Sequence, residues 1–285
     1  MEPHGWALVL LKDLSLRQAS NMYRHSLVVR VTHWAGVLCF AVLLMSGLQI
    51  FNAHPALYWG DASNFAKPVA SINTTVRDGR RIGVAEVLGH RLVTTGVLGL
   101  SGSADDRQER AFPRWITLPS EQDLATGRRW HFFFAWLLVL DGFFYFLLGI
   151  WRGHFWRDLV PARERLKHIG RTLVDHLYLR FPTGDEDMHY NVLQQLTYLV
   201  IIFVVLPLQV LAGLAMSPAL DAAFPFLTSV FDGRQTARTV HFLLACVLVA
   251  FVVVHVTMLL VSGPWNKLRS MITGWYAIKS TGGGP

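Results

Sequence analysis

Two histidines lie fourteen residues apart in a strongly apolar stretch of the sequence, TVHFLLACVLVAFVVVHVTMLLVSG. They are His241 and His255. Imidazole can bind a metal or carry a proton, and an ionisable side chain in such a stretch usually has a functional role or a buried partner. If the stretch is helical, both side chains lie within about 40° of one face and about 21 Å apart along the axis. One helix therefore presents two imidazoles to one interior.

The composition indicates that the surrounding solvent is lipid. Of the 285 residues, 52% are hydrophobic and 16% are charged, whereas about a quarter of the residues of a soluble protein are charged. The sequence therefore predicts an all-α membrane protein with one domain over residues 1–285 and a bundle of four transmembrane helices. Each span has the roughly 20 apolar residues needed to cross a bilayer, and Pro207 predicts a kink in the third. The spans are 31–51, 130–151, 192–216 and 240–263.

Lys and Arg residues near the spans predict the orientation. They are dense before the first span, in the connection 152–191 and after the last span, so we expect these segments and both termini to be cytoplasmic. The connection 52–129, called the long connection below, is then extracytoplasmic. Its apolar stretch Ile82–Gly102 contains ionisable residues and much Gly, Val and Thr, so we expect a loop or strand there and not a fifth span. The net charge is +7. The basic residues flank the spans, where they can interact with anionic lipid headgroups, so we expect no nucleic-acid partner.

Two further histidines match the depths of the first two. In the predicted topology His131, at the outer start of the second span, is level with His241, and His33, at the inner start of the first span, is level with His255. Facing helices can supply two imidazoles to opposite sides of a haem b iron. Both cysteines lie within spans and no CxxCH is present, which excludes covalent haem attachment. We interpret the four histidines as axial ligands of two b haems.

Other histidines leave alternatives open. His25, eight residues before His33, is a rival ligand, but it precedes the first span and we expect it to be interfacial. His154, His168 and His176 fall in the cytoplasmic connection, where we expect them to face solvent. A single membrane histidine is more often a hydrogen-bonded packing residue than a ligand, so the interpretation depends on the matched depths of all four.

Small and basic residues near the histidines are compatible with a bound macrocycle. Glycines in the spans leave room for a flat ring, although they also serve plain helix packing; they are Gly36, Gly47, Gly142, Gly149 and Gly213. Arginines can pair with haem propionates or extend to lipid headgroups; they are Arg24 and Arg30 on the inner side and Arg128, Arg129 and Arg238 on the outer side.

Five segments together resemble one known family. They are RHSLVVRVTHWAGVLCFAVLLMSGLQIF, GRRWHFFFAWLLVLDG, WRDLVPARERL, NVLQQLTYLVIIFVVLPLQVLAGLAMSP and RTVHFLLACVLVAFVVVHV. They look like the di-haem cytochrome b subunits of membrane-bound hydrogenases, formate dehydrogenases and, most of all, thiosulfate-reductase-type and molybdopterin-oxidoreductase-linked complexes. The resemblance covers nearly the whole chain, and the histidine pattern is its most specific part.

The resemblance implies a haem-bearing subunit of the bacterial inner membrane. Such a subunit passes electrons between the respiratory quinone pool and an extracytoplasmic redox subunit, here of molybdopterin type. In the family the first-span histidine pairs with the second histidine of the fourth span. The implied pairs, His33 with His255 and His131 with His241, are the same as those obtained from depth.

A quinone site near the inner haem is implied by analogy with the family. Asn191, Gln194 and Gln195 begin the third span on that side, and their amides can hydrogen-bond a quinone carbonyl or cap the helix. Asp141, near the middle of the second span, can relay protons or bond to a neighbouring helix.

The long connection departs from hydrogenase and formate dehydrogenase relatives, in which it is much shorter. Its Phe112, Pro113 and Trp115 can dock a soluble protein over the outer haem or cap the bundle.

Three functions are compatible with the sequence. The leading one is an electron-transfer subunit of a quinone-linked oxidoreductase complex. The second is a self-contained di-haem oxidoreductase that acts on a small molecule such as superoxide without a protein partner. The third is a transporter that uses its histidines for metal ions or protons.

Overall fold

The computed structural model describes residues 21–103, 106–153 and 192–277. The chain divides into two compact units. One comprises the chain up to Trp34 together with the chain from Val253 onward, and the other comprises Ala35–Val252. The predicted pair His33 and His255 belongs to the first unit, and the pair His131 and His241 belongs to the second. That residues 1–285 form one domain stays a prediction.

The described residues are mostly helical, and four of their helices are long and apolar enough to cross a bilayer. This confirms the four predicted spans, although the second and fourth helices each begin six residues earlier than predicted. The orientation of these helices and the side of the termini stay predictions. The helices are α1 (Leu27–Asn52), α2 (Leu124–Trp151), α3 (Val192–Ala215), α4 (Pro218–Ala223), α5 (Phe226–Val230), α6 (Arg234–Val261) and α7 (Pro264–Thr273).

Helix α3 contains an irregular turn where the sequence predicts a kink. Residues Ile201–Val205 form a π-turn, in which the Leu206 N–H donates to the Ile201 carbonyl, five residues back. Pro207 follows at once and has no N–H to continue the regular ladder. The wider turn rotates the rest of α3 relative to an uninterrupted helix. Residues after Pro207 therefore face different neighbours from those that an uninterrupted helix would predict.

The expectation of an all-α protein is wrong for the long connection, which in the structure runs over residues 53–123. It contains two small antiparallel sheets: one has four strands in chain order and the other has two. The predicted loop or strand at Ile82–Gly102 is confirmed as strands. The strands are β2 (Ala56–Leu57), β3 (Ala70–Arg77), β4 (Arg80–Val87), β5 (His90–Val93), β6 (Gly99–Ser101) and β7 (Gln108–Arg110).

Local sequence explains the central hairpin. Strands β3 and β4 are joined by Asp78 and Gly79, whose φ angles are 52° and 73°, and a two-residue hairpin turn of type I′ requires positive φ at both positions. Behind the hairpin, a Cβ at Gly83 would lie 2.1 Å from the Leu98 carbonyl oxygen. Only glycine fits this close approach of two backbones.

The long connection packs on the ends of α1 and α6. Phe51, Leu57 and Ala111 form a buried cluster, and the Phe51 ring stacks on Phe242 at 4.8 Å between centroids. The Thr239 hydroxyl donates to the Tyr58 carbonyl at 2.7 Å. These contacts fix the connection to the helices α1 and α6, the second of which carries His241.

The unit with His33 and His255 contains a short two-stranded sheet. Strand β1 (Asn21–Tyr23) pairs antiparallel with β8 (Trp275–Ala277), and the Tyr23 and Trp275 rings meet edge to face at 5.3 Å. Gly274 has a φ of 90°, and a Cβ there would lie 2.6 Å from the Tyr23 ring. Glycine therefore permits this close contact before β8.

Candidate haem site

The rings of His131 and His241 lie close together inside the second unit. Their centroids are 6.2 Å apart, with 63° between the ring planes. A metal–nitrogen bond is roughly 2 Å long, and a ring nitrogen lies about 1.1 Å from the centroid of its ring. Two imidazoles bound to opposite sides of one metal would therefore have their centroids about 6.2 Å apart. The separation therefore fits two imidazoles that share one iron.

Helix α1 supplies the surroundings of His131. The Ser46 hydroxyl donates to the Val42 carbonyl at 2.6 Å, so its oxygen is free to accept from His131 Nδ1 at 3.1 Å. The next residue, Gly47, leaves space for the ring, since a Cβ there would lie 3.3 Å from His131 Cε1. Ser46 is fully buried, so this contact is shielded from solvent.

Helix α3 supplies equivalent surroundings for His241. His241 Nδ1 donates to the Gln209 carbonyl at 2.9 Å. One turn further on, a Cβ at Gly213 would lie 3.2 Å from His241 Cε1. The Gln209 side-chain nitrogen also lies 3.2 Å from His241 Nε2, and a metal bound at that nitrogen would replace this contact.

The surroundings of His131 and His241 prepare both rings for the same chemistry. In each ring Nδ1 is held by a protein acceptor, which leaves Nε2 as the unprotonated nitrogen of a neutral imidazole. Metal-binding histidines are commonly oriented by such a second hydrogen bond. The donor set, the spacing and the clearance left by the two glycines therefore fit a haem held by His131 and His241.

The other pair lies in the first unit. His33 and His255 belong to the same compact unit, and His33 Nδ1 is buried without a hydrogen-bond partner among the described residues. The neighbouring Trp34 ring meets His33 edge to face at 5.2 Å, and its N–H donates to the Met271 carbonyl at 3.2 Å. His25, the rival ligand, is buried just before α1. A buried imidazole nitrogen without a hydrogen-bond partner among the described residues also fits a metal ligand.

The predicted glycines serve different purposes. Gly47 and Gly213 clear the imidazole rings themselves and not a macrocycle edge. A Cβ at Gly36 would lie 3.7 Å from the carboxylate of Asp141, whereas a Cβ at Gly142 would have no atom of the described residues within 4 Å. Of these four positions, two are thus tied to the candidate ligands.

The predicted propionate partners already make protein contacts. Arg30 donates to the Ile272 carbonyl at 2.6 Å, and Arg24 lies over the Tyr276 ring. Arg238 donates to the His54 carbonyl and lies over Phe51. Burial, and then the Arg238 guanidinium, lower the pKa of His54.

The remaining arginines lie at the start of α2. Arg128 lies over the Phe132 ring at 5.5 Å, and Arg129 is exposed. Their assignment to propionates stays a prediction.

The remaining predicted residues are placed as follows. Gln195 is buried and Gln194 half-buried near the start of α3, whereas Asn191 lies outside the described residues. In the long connection Pro113 is buried, and Phe112 packs on Phe51 at the end of α1. Trp115 is 80% exposed and is the member of that trio available to a partner.

Several residues near the His131–His241 pair were not predicted from the sequence. Ser46 precedes a predicted glycine, and Gln209 is a polar residue in an apolar span, which is itself a signal of function. Among the described residues no group of three or more His, Cys, Asp or Glu side chains could hold a metal ion; two axial histidines require no such group.

Comparison with known proteins decides the family. The sequence model of prokaryotic cytochrome b561 matches residues 24–274. The chain belongs to the prokaryotic cytochrome b561 family. Members of this family bind haem b, so the resemblance to cytochrome b subunits is confirmed, and this cytochrome b is a multi-pass membrane protein that transfers electrons.

The cytochrome is also similar to a curated protein. That relative is the putative protein-methionine-sulfoxide reductase subunit YedZ1 of Azospira oryzae, with 29% identity over 230 residues, which cover 81% of this chain and 86% of the relative. No solved structure shows a significant match to the chain.

Proposed function

We propose that this cytochrome b holds two b haems, one between His131 and His241 and one between His33 and His255. It passes electrons across the bacterial inner membrane between the quinone pool and an extracytoplasmic redox subunit of molybdopterin type. The observation that carries the proposal is the 6.2 Å separation of the His131 and His241 rings. Each ring is held through Nδ1 with a glycine beside it.

The chain's own side chains keep both imidazoles ready to bind. Ser46 and the Gln209 carbonyl hold the Nδ1 protons, which fixes the tautomer and the ring orientation before any ligand arrives. A bound haem supplies one-electron oxidation and reduction at its iron. Both imidazoles lie on helices that are long and apolar enough to cross a bilayer.

Quinone chemistry is supported by buried amides at the start of α3. Gln195 is 4% exposed, and a side-chain amide there can hydrogen-bond a quinone carbonyl; Asn191 is the second predicted contact. A quinol that becomes a quinone gives up two electrons and two protons. Two one-electron transfers through the chain therefore balance one quinol oxidised, with both protons released to water.

A protein partner is supported by the relative and by the long connection. The relative is named as a subunit of a reductase, which favours a complex over a stand-alone enzyme. Trp115 is exposed on the connection that packs on the ends of α1 and α6. We assign this surface to the extracytoplasmic subunit.

Haem content tests the proposal. A pyridine haemochrome assay of the purified chain should give about two b haems, and electron paramagnetic resonance should show low-spin signals of bis-imidazole type. His131→Ala should retain one haem, whereas His90→Ala, a histidine on the exposed strand β5, should retain both. One haem in the wild type, or a high-spin spectrum, would contradict the paired ligands.

The partner is tested separately. Affinity purification from the native membrane should recover a molybdenum-containing subunit. Superoxide turnover by the isolated chain, with no subunit recovered, would support the self-contained oxidoreductase instead.

A further inference from the structure

A buried arginine lies in the long connection near the His131–His241 pair. Arg110, in strand β7, is 5% exposed. It donates to the Ser120 carbonyl at 2.6 Å, to Gln49 Oε1 at 2.7 Å and to Thr117 Oγ1 at 2.9 Å. All three acceptors are neutral.

Arg110 also has no close acidic partner. Among the described residues no carboxylate lies within 4 Å of it, and its Nε is buried without an acceptor. Burial, with a smaller contribution from Arg114, lowers the pKa of Arg110, and the exposed Glu121 only partly opposes this. A guanidinium nevertheless remains charged in proteins. The chain therefore keeps a fixed positive charge at this point.

One turn of α1 connects this charge to the haem ligand. Gln49, which accepts from Arg110, is 2% exposed, and its amide nitrogen donates to the Glu121 carbonyl at 2.8 Å. Ser46, three residues before Gln49 and on the same helical face, contacts His131 Nδ1 at 3.1 Å. The guanidinium is thus on the order of 10–12 Å from the His131 ring.

We propose that Arg110 is a positioning residue that acts electrostatically and raises the reduction potential of the haem held by His131 and His241. The inference rests on the proposed function. Reduction adds one negative charge to that site, and a fixed cation in a water-poor environment stabilises the added charge. Arg110 therefore favours electron occupancy of this haem relative to the one at His33 and His255.

The size of the effect follows from the distance. Two unit charges about 12 Å apart at an effective dielectric constant of about 20 change an equilibrium about tenfold. Loss of the charge should therefore lower the ratio of reduced to oxidised haem about tenfold at a fixed ambient potential, which is about 59 mV for a one-electron couple.

Potentiometric titration of the full-length chain, followed by visible absorption, tests the proposal. Arg110→Gln keeps a hydrogen-bonding side chain and removes the charge. Gln49→Glu keeps Arg110 and neutralises it with an adjacent carboxylate. In both variants the ratio of reduced to oxidised haem should fall about tenfold for one haem at a fixed ambient potential. The potential of the other haem and the low-spin spectrum should stay unchanged.

Two controls separate charge from structure. Arg110→Lys keeps the charge and should stay near the wild-type potential. Arg114→Gln removes an arginine that is half-exposed and paired with Asp106, and should also leave both potentials unchanged.

The outcomes decide the question. Wild-type potentials in both neutralising variants, with two haems bound, would overturn the proposal. If Arg110→Gln fails to fold or to hold haem, an unshifted potential in Gln49→Glu is by itself enough to overturn the proposal. A wild-type chain without haem would instead refute the proposed function, which distinguishes the two failures.

Discussion

Gly213→Ala should selectively weaken the haem held by His131 and His241. The new Cβ would lie 3.2 Å from His241 Cε1 and 3.5 Å from Nδ1, whereas carbon atoms pack best at about 3.5–4.0 Å. The imidazole must therefore move by a few tenths of an ångström. Because its Nδ1 is held by the Gln209 carbonyl at 2.9 Å, that movement strains the hydrogen bond that orients the ring.

The size of the loss in haem affinity follows from the overpacking cost. Overpacking a buried site costs about 1–3 kcal/mol. Alanine is the better helix former by about 1 kcal/mol, but this gain is present with or without haem and leaves the haem affinity unchanged. Part of the overpacking cost is also present without haem, so only the share added when the ring is held at the metal lowers the affinity. At about 1.4 kcal/mol per factor of ten, the affinity of this haem should fall by up to about 150-fold. Gly47→Ala, whose Cβ would lie 3.3 Å from His131 Cε1, should weaken the same haem.

A haem titration of the purified chain, followed by its low-spin absorption, measures this effect. Gly142→Ala is the matched control, because a Cβ at that position would lie more than 4 Å from every atom in the described part of the chain. It should bind both haems like the wild type. The reasoning is refuted if Gly213→Ala and Gly142→Ala bind haem equally well, or if Gly213→Ala weakens the other haem instead.

Three other variants test separate parts of the account. Ser46→Ala removes the acceptor of His131 Nδ1 and should lower the affinity of the same haem about 10- to 100-fold in a haem titration; unchanged affinity would show that the hydroxyl does not orient the ring. Gln195→Ala should slow haem reduction by a quinol analogue in stopped-flow while both haems remain bound; equal slowing in the control Thr197→Ala, two residues along the same helix, would argue against a specific amide contact. Trp115→Ser should leave quinol-driven haem reduction intact and abolish turnover of the assembled complex, and it fails as a test of docking if Phe65→Ser, 77% exposed on the same connection, has the same effect.

The spans were predictable because membrane insertion imposes a length and a polarity on each helix. All four predicted spans correspond to helices with the expected apolar composition. The histidine pairs follow from matched depth, since a ligand pair must be level in antiparallel helices. For His131 and His241 the structure brings the ring centroids to 6.2 Å from each other.

The immediate surroundings of the histidines could not be predicted in the same way. The π-turn at Ile201–Val205 changes the helical register, so a uniform 100° rotation misplaces Gln209 and Gly213. The hydrogen bond from His241 Nδ1 to a backbone carbonyl has no sequence signature. The same holds for Ser46, whose role depends on how closely α1 approaches α2.

The sheet in the long connection was predicted only in part, as a loop or strand at Ile82–Gly102. Strand β3 was not predicted, because the polar residues Asn73, Thr74 and Thr75 interrupt its apolar pattern. The Asp78–Gly79 pair is a recognised hairpin signal and could have indicated the turn. Arg110 illustrates a further limit, because burial of a cation against neutral acceptors depends on long-range packing.

Haem loss in the four single histidine variants tests the central claim most directly. Spectroelectrochemical titration of His131→Ala and His241→Ala should show one remaining haem with the same potential in both variants. His33→Ala and His255→Ala should both retain the other haem, with a different potential. The account is contradicted if His131→Ala and His241→Ala retain different haems, or if His25→Ala removes a haem that His33→Ala spares.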